Sequence, residues 1–101
     1  MITSRVGFGY DMHKLEEGNY IMLGGIRIDS NHAVVAHSDG DIVMHSLSDA
    51  IYGSLAAGDI GTHFPSNKEN KNIQSVKILK HACELITQSN YMINNIDITI
   101  V

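Results

Sequence analysis

Between Arg5 and His13, apolar positions alternate with small or polar ones without a break. Val6, Phe8, Tyr10 and Met12 fall on one side, and Arg5, Gly7, Gly9, Asp11 and His13 on the other. A period of two over this length predicts a half-buried strand. Strand geometry would put the Asp11 and His13 Cα atoms ~6.6 Å apart with both side chains on one face, close enough to converge on one ion. Gly7 and Gly9 on that face leave room there or let another backbone approach. Lys14 to Asn19 is polar, contains a glycine and reads as a loop. Tyr20 to Leu23 and Gly25 to Ile28 read as short strands broken around Gly24-Gly25, and Asp29-Ser30-Asn31 as a turn. Ala33 to Ala36 is a brief apolar run. Alternation returns from Asn94 to Val101, with Ile96, Ile98 and Ile100 against Asp97, Thr99 and Val101.

Two helical patterns lie between these stretches. The first takes Ser38 or Asp39 as its N-cap, holds Gly40 and Asp41 in its first turn and runs to about Leu55. Val43, Leu47, Ala50, Ile51 and Leu55 form its apolar face. Asp41, His45, Asp49 and Tyr52 form the other stripe, with His45 one turn beyond Asp41. The second helix spans about Ile73 to Ser89, with Val76, Leu79, Ala82, Cys83 and Ile86 inward and Asn90 as its C-terminal cap. Ala56 to Asn72 is irregular and carries Gly58-Asp59-Ile60-Gly61 and Phe64-Pro65-Ser66. Long ordered loops in small domains tend to be functional.

Composition narrows the function classes. With 101 residues, 44% hydrophobic and 18% charged, the chain reads as one globular domain spanning 1–101. Its net charge of -4 and lack of a basic cluster argue against a nucleic-acid partner. No apolar run approaches a membrane span, and Met1 to Arg5 leads into the strand pattern without a signal-peptide core, so a cytoplasmic location is expected. The single cysteine, Cys83, cannot form an internal disulfide and reads as a small core residue in a reducing compartment. So short a chain buries a modest fraction of its surface and would gain from association.

The candidate chemistry centres on His37-Ser38-Asp39-Gly40-Asp41 and His45, which must meet Asp11-Met12-His13 in space. An Asp-x-His pair on one strand face and one histidine from a facing helix supply three N/O ligands. That set leaves a fourth position open, as in catalytic zinc sites, and no second cysteine is present to build a closed structural site. Asp41 either orients His45 or complements the helix N-terminus. His37 and Ser38 stand just ahead of that N-terminus, where free amides favour a phosphate. Asp39 and Asp41 would repel a bare phosphate, so a second divalent cation or a constrained orientation is implied. His32 and His81 read as surface residues, and His63 and Asp49 have no assigned role.

These residues resemble a known family. The segments R-V-G-F-G-Y-D-M-H at 5–13, G-G-I-R-I at 24–28 and A-H-S-D-G-D-I-V-M-H at 36–45 are similar to those of the 2-C-methyl-D-erythritol 2,4-cyclodiphosphate synthases. So are S-D-A-I-Y-G at 48–53, G-D-I-G at 58–61, F-P at 64–65 and N-I-D-I-T-I-V at 95–101, in the same order. The resemblance implies an α+β fold, a two-layer sandwich of a mixed sheet with helices on one face, assembled as a homotrimer with sites between subunits. It implies Zn2+ on Asp11, His13 and His45, and Mg2+ or Mn2+ with the substrate diphosphate. His37 would help stabilise the transition state, and Ser38 would contact phosphate with it. Asp11, Met12 and His13 would also touch substrate. Asp59, Ile60 and Gly61 would hold the ribose of a cytidine diphosphate, and Phe64, Pro65, Ser66, Asn67 and Lys68 the methylerythritol phosphate. Family members often carry acidic residues where this chain has Ser66 and Asn67.

The implied reaction is a cyclisation. The 2-phosphate of 4-diphosphocytidyl-methylerythritol 2-phosphate attacks the β-phosphorus and expels CMP, in non-mevalonate isoprenoid biosynthesis. Members of the family continue past the position of Val101 through a cytosine-binding loop and a later phosphate-contacting region. The chain therefore reads as the N-terminal portion, able to form the metal cluster and lacking part of the site. Two alternatives stay open: a non-catalytic metal-binding domain and a generic metal-dependent phosphohydrolase. A processed plastid form is the alternative to a bacterial cytoplasmic protein.

Overall fold

The computed structural model describes residues 3–101; Met1 and Ile2, at the head of the segment expected to lead into the first strand, lie outside them. Four short strands come first: β1 (Leu15–Glu17), β2 (Tyr20–Leu23), β3 (Ile26–Asp29) and β4 (His32–Val34). Three helices follow: α1 (Ile42–Ser54), α2 (Ile60–His63) and α3 (Ser75–Gln88). Strands precede helices, so the α+β class holds. In place of one mixed sheet, the described residues form two antiparallel pairs, β1 with β4 and β2 with β3. The reason is local: β2 and β3 close through the two-residue turn Gly24-Gly25, and β1 folds back on β4 around that hairpin. Both turn glycines have positive φ, 61° and 80°, which a tight hairpin of this length favours. β1 falls inside the stretch expected to be a loop. Its three residues are all exposed, so pairing with β4 rather than burial forms it.

The two alternating stretches expected as strands, 5–13 and 94–101, form no strand and pair with nothing through their backbone among the described residues. The alternation at 5–13 survives as a division of faces. Val6, Phe8, Tyr10 and Met12 are 70–90% exposed, while Gly7 and Gly9 press on α1. A Cβ at Gly7 would collide with the Ala50 carbonyl, and one at Gly9 with that of Ser46. The polar and small side, not the apolar one, thus faces the protein. Arg5 fixes the start of the segment through Nη1 to the Ser54 carbonyl (3.2 Å) and Nε to the Tyr91 hydroxyl (3.0 Å).

The core lies between α1 and α3, around Ile51, Tyr52, Ile78, Ala82 and Ile86. On α1 the buried positions are His45, Ser48, Ile51 and Tyr52: Ile51 comes from the expected apolar face, but His45 and Tyr52 show that much of the stripe expected to be polar also turns inward. It can do so because its polar atoms are satisfied. Ser48 Oγ donates to the Met44 carbonyl (2.7 Å), and Tyr52 Oη pairs with His81 Nδ1 (2.8 Å). His81 is accordingly half-buried rather than a surface residue, and Tyr52 also stacks on His63 (4.4 Å between ring centroids). On α3 the inward face is Ser75, Ile78, Ala82 and Ile86, rotated from the expected one; Val76 and Cys83 are exposed. Asn90 follows α3 at φ 61°, the left-handed conformation of a C-terminal cap. Among the described residues no helix is long and apolar enough to cross a membrane.

Candidate metal centre and adjoining cleft

Asp11 and His13 share the inward side of the extended N-terminal segment, and α1 presents His45 to them from its first turn. The three donors lie within 4.8 Å of one another. Asp11 Oδ2 is 3.0 Å from His13 Nδ1 and 3.2 Å from His45 Nδ1. Tetrahedral ligands ~2.0 Å from a zinc ion stand about 3.3 Å apart, so the spacing suits three corners of such a site. His13 Nδ1 is buried and, although 3.0 Å from Asp11 Oδ2, is not aligned for a hydrogen bond with it, an atom that a cation would satisfy. The donor set therefore fits a divalent metal with nitrogen and oxygen ligands.

His45 is held on its other side. Its Nε2 meets Ser75 Oγ at 2.7 Å and Ser38 Oγ at 3.1 Å. Ser75 in turn bonds Asp39 through both its hydroxyl and its amide, the latter at 3.0 Å. Burial alone would raise the Asp39 carboxyl. The Ser75 hydroxyl and amide, the Asp41 amide and the nearby His45 outweigh it and hold Asp39 below the usual carboxylate value. Sequence reasoning missed Ser75, and it considered Asp39 only as a cap or a repulsive charge.

Asp41 is the cap of α1, and its carboxylate makes no hydrogen bond to the His45 ring. Its carboxylate accepts from the amides of Met44 (3.0 Å), Gly24 (2.9 Å) and Gly25 (2.7 Å), so it ties the β2–β3 turn to the helix start. The amides of Gly40 and Asp41 are taken by Ser38 Oγ and Asp39 Oδ1. With these amides occupied, neither is free to meet an anion at this corner. Asp49 accepts the Ile60 amide (2.8 Å) and so anchors α2 to α1. Burial, with Asp59 and Asp11 nearby, raises its carboxyl above the ordinary value against the pull of that amide.

A cleft of about 140 Å³ opens beside the three donors. His13, His37, Ser38, His45, Ile60, Phe64 and Ser66 line it, joined by Asn70, Ile73 and Ile78, which the sequence did not single out. Of the other expected contacts, Met12 points away and is 76% exposed. Asp59 caps α2 by accepting from the Thr62 amide and hydroxyl (both 2.9 Å), and Gly61 follows it, exposed. Pro65, Asn67 and Lys68 are exposed and outside the lining. The Asn67 carbonyl accepts from His37 Nε2 (3.1 Å), so this loop is fastened to that imidazole. His63 faces away from the cleft and bonds the Ala57 carbonyl through Nε2 (2.7 Å).

Comparison with known proteins places this arrangement. The profile of the YgbB family matches residues 4–101. The chain belongs to the YgbB family. Among curated relatives, 2-C-methyl-D-erythritol 2,4-cyclodiphosphate synthase of Pseudomonas paraeruginosa is 47% identical over 98 residues, 96% of this chain and 62% of the relative. The synthase of Acinetobacter baumannii is 50% identical over 97 residues, 95% of this chain and 61% of the relative. This family member therefore spans about three-fifths of the length of those relatives. Among solved structures, a 2C-methyl-D-erythritol-2,4-cyclodiphosphate synthase superposes with a TM-score of 0.79 at 38% identity, over 85% of this chain and 58% of the other. A CDP-bound form of such a synthase gives 0.78 at 39%, over the same shares. A Plasmodium falciparum IspF in complex with CDP gives 0.69 at 43% identity, over 85% and 52%.

Proposed function

We propose that this chain carries the metal centre and part of the substrate site of a 2-C-methyl-D-erythritol 2,4-cyclodiphosphate synthase, within a single domain that includes 1–101. The observation that carries the reading is the convergence of Asp11, His13 and His45 at one end of a cleft that His37 and Ser38 also line. Asp11, His13 and His45 hold Zn2+, and a second ion, Mg2+ or Mn2+, accompanies the substrate diphosphate. When bound, the metal supplies Lewis acidity and a template for phosphate oxygens.

The chain's own residues then position and neutralise. Ser38 Oγ accepts the Gly40 amide (3.2 Å), which leaves its proton for a phosphate oxygen. His37, exposed at the cleft edge, helps stabilise the charge that builds on the phosphoryl group. Asp59, Ile60 and Gly61 hold the ribose, Asp11 and His13 touch the substrate beside the metal, and the stretch Phe64, Pro65, Ser66, Asn67 and Lys68, of which Phe64 and Ser66 line the cleft, holds the methylerythritol phosphate. The 2-phosphate attacks the β-phosphorus in line, a ring closes and CMP leaves. No side-chain nucleophile takes part, because holding two phosphoryl groups of one molecule in register removes most of the entropic barrier.

The same reading makes the protein a homotrimer. The exposed apolar side chains of Val6, Phe8, Tyr10 and Met12, with Ile96, Ile98 and Ile100 on the other extended segment, support it as assembly surface. It also carries a cytoplasmic location, or a plastid one for a processed eukaryotic form.

His45→Ala in the full chain tests the function. The expected result is loss of bound zinc and of CMP release, with wild type giving a cyclic diphosphate. Retained zinc and retained CMP release in the variant would overturn the metal assignment. A linear product with free orthophosphate from wild type would overturn the cyclase reading in favour of a phosphohydrolase, and metal binding without CMP release would leave a non-catalytic domain.

A further inference from the structure

Ser75 and Asp39 have no part in the function proposed above, yet they make the tightest polar contacts around His45. Ser75 is fully buried at the start of α3, with its hydroxyl between His45 Nε2 and Asp39 Oδ1. A serine hydroxyl has one proton, and an ionised carboxylate only accepts. The proton therefore goes to Asp39, and the serine oxygen is left as an acceptor towards His45. It follows that Nε2 carries the imidazole proton. Nδ1, which only the opposite tautomer would let donate to Asp11 Oδ2 at 3.2 Å, then presents a lone pair to that oxygen. Two lone pairs facing each other at that distance repel unless a cation lies between them.

We propose that Asp39 and Ser75 are positioning residues for the metal centre, locking His45 as the Nε2–H tautomer so that Nδ1 is the ligand atom. The proposal rests on the metal reading of Asp11, His13 and His45 and extends it to two residues from elsewhere in the chain. Ser75 is brought there by α3 and Asp39 by the loop before α1, so packing of the two helices sets the angle of the ring. A carboxylate behind the serine makes its oxygen a stronger acceptor and the imidazole a more basic ligand, as carboxylates behind metal-bound histidines do. Ser38 Oγ, at 3.1 Å from Nε2, is the weaker second acceptor of the same proton.

Two measurements on the full chain test this. The first is zinc affinity by competition with a chromophoric chelator, for wild type, Ser75→Ala, Asp39→Asn and His45→Ala. Ser75→Ala and Asp39→Asn should each weaken zinc roughly 10–100-fold while keeping the wild-type far-UV spectrum. The second is the 15N signature of His45 in metal-free wild type above the imidazole pKa, which should report Nε2–H and become a mixture of tautomers in Ser75→Ala. Wild-type zinc affinity in both folded variants, or an Nδ1–H signature in wild type, would overturn the relay. The wild-type signature decides even where a variant fails to fold. Zinc retained by His45→Ala would instead overturn the metal site itself, so the two failures are distinguishable.

Discussion

Replacing Asp41 separates capping from metal chemistry at one residue. Asp41 is 1% exposed and accepts three amides, from Met44 in α1 and from Gly24 and Gly25 in the β2–β3 turn. Asp41→Ala removes a helix cap, which costs about 1 kcal/mol. It also removes two charge-assisted bonds to the turn, for which the lower end of the usual range, about 1.5 kcal/mol each, applies because both glycines are exposed and water can reach their amides. The expected loss is about 3–4 kcal/mol, or at least ~12 °C in Tm for a chain of this size. Asp41→Asn keeps one oxygen for Gly24 and Met44 but turns an N–H towards Gly25, so it should lose roughly half as much. Urea unfolding of both variants in the presence of chelator reads the stability without a contribution from bound metal. Zinc content, measured separately under folding conditions, should stay at the wild-type level. An Asp41→Ala protein within about 0.5 kcal/mol of wild type would refute the clamp, taking that as the range of an ordinary surface change. A folded variant that has lost its zinc would return Asp41 to an orienting role at His45.

Other outcomes follow from neighbouring contacts. Gly9→Ala should lift the segment carrying Asp11 and His13 off the Ser46 carbonyl and weaken zinc by at least ~10-fold in a chelator competition, because misplaced ligands lose as much as unsupported ones. Gly53→Ala, where a Cβ meets nothing, should leave zinc unchanged and stabilise α1 by about 1 kcal/mol. Burial, with the Asp49 and Cys83 charges nearby, pushes the Tyr52 phenol from 10.0 up to about 12. The folded state therefore prefers the neutral phenol, and the stability it contributes is present below pH 10 and lost as pH rises towards about 12. Tyr52→Phe should cost about 1 kcal/mol at neutral pH through the lost bond to His81 and flatten that alkaline loss in denaturation curves taken across the range.

The convergence of Asp11, His13 and His45 was legible because two local periods fix it. Strand alternation puts Asp11 and His13 on one side, and a helix start beyond Asp41 raises His45 from the facing element. Which side of each element turns inward was legible only in part: Ile51, Ala82 and Ile86 are buried as expected. Glycine at 7 and 9 allows the extended segment to lie directly on α1, so close approach decided its orientation against the apolar pattern. On α1 and α3 the buried stripes contain His45, Ser48, Tyr52 and Ser75, whose polar atoms are satisfied mostly by distant residues. Ser75 meets Asp39 36 positions away, and Tyr52 meets His81 29 positions away. A serine at a helix start looks like a local cap in any sequence, so its partner across the fold gives no signal. The three residues of β1 were hidden for a related reason, since pairing with β4 forms them without burying an apolar side chain.

The N-terminal extended segment is tied to the rest by side chains and by the fit of two glycines, with no backbone rungs among the described residues from 3 to 13. Arg5 fastens its beginning to α1, and Asp11 and His13 stand at its far end beside His45. An ion bound by all three would act as a rivet between a strand and a helix, closing the loop of chain from His13 to His45. Its binding free energy would then be spent on docking the segment, and the face bearing Val6, Phe8, Tyr10 and Met12 would be presented only once the rivet is set. In the homotrimer proposed above, metal loading would thus come before assembly, with the ion setting the order in which the protein is built.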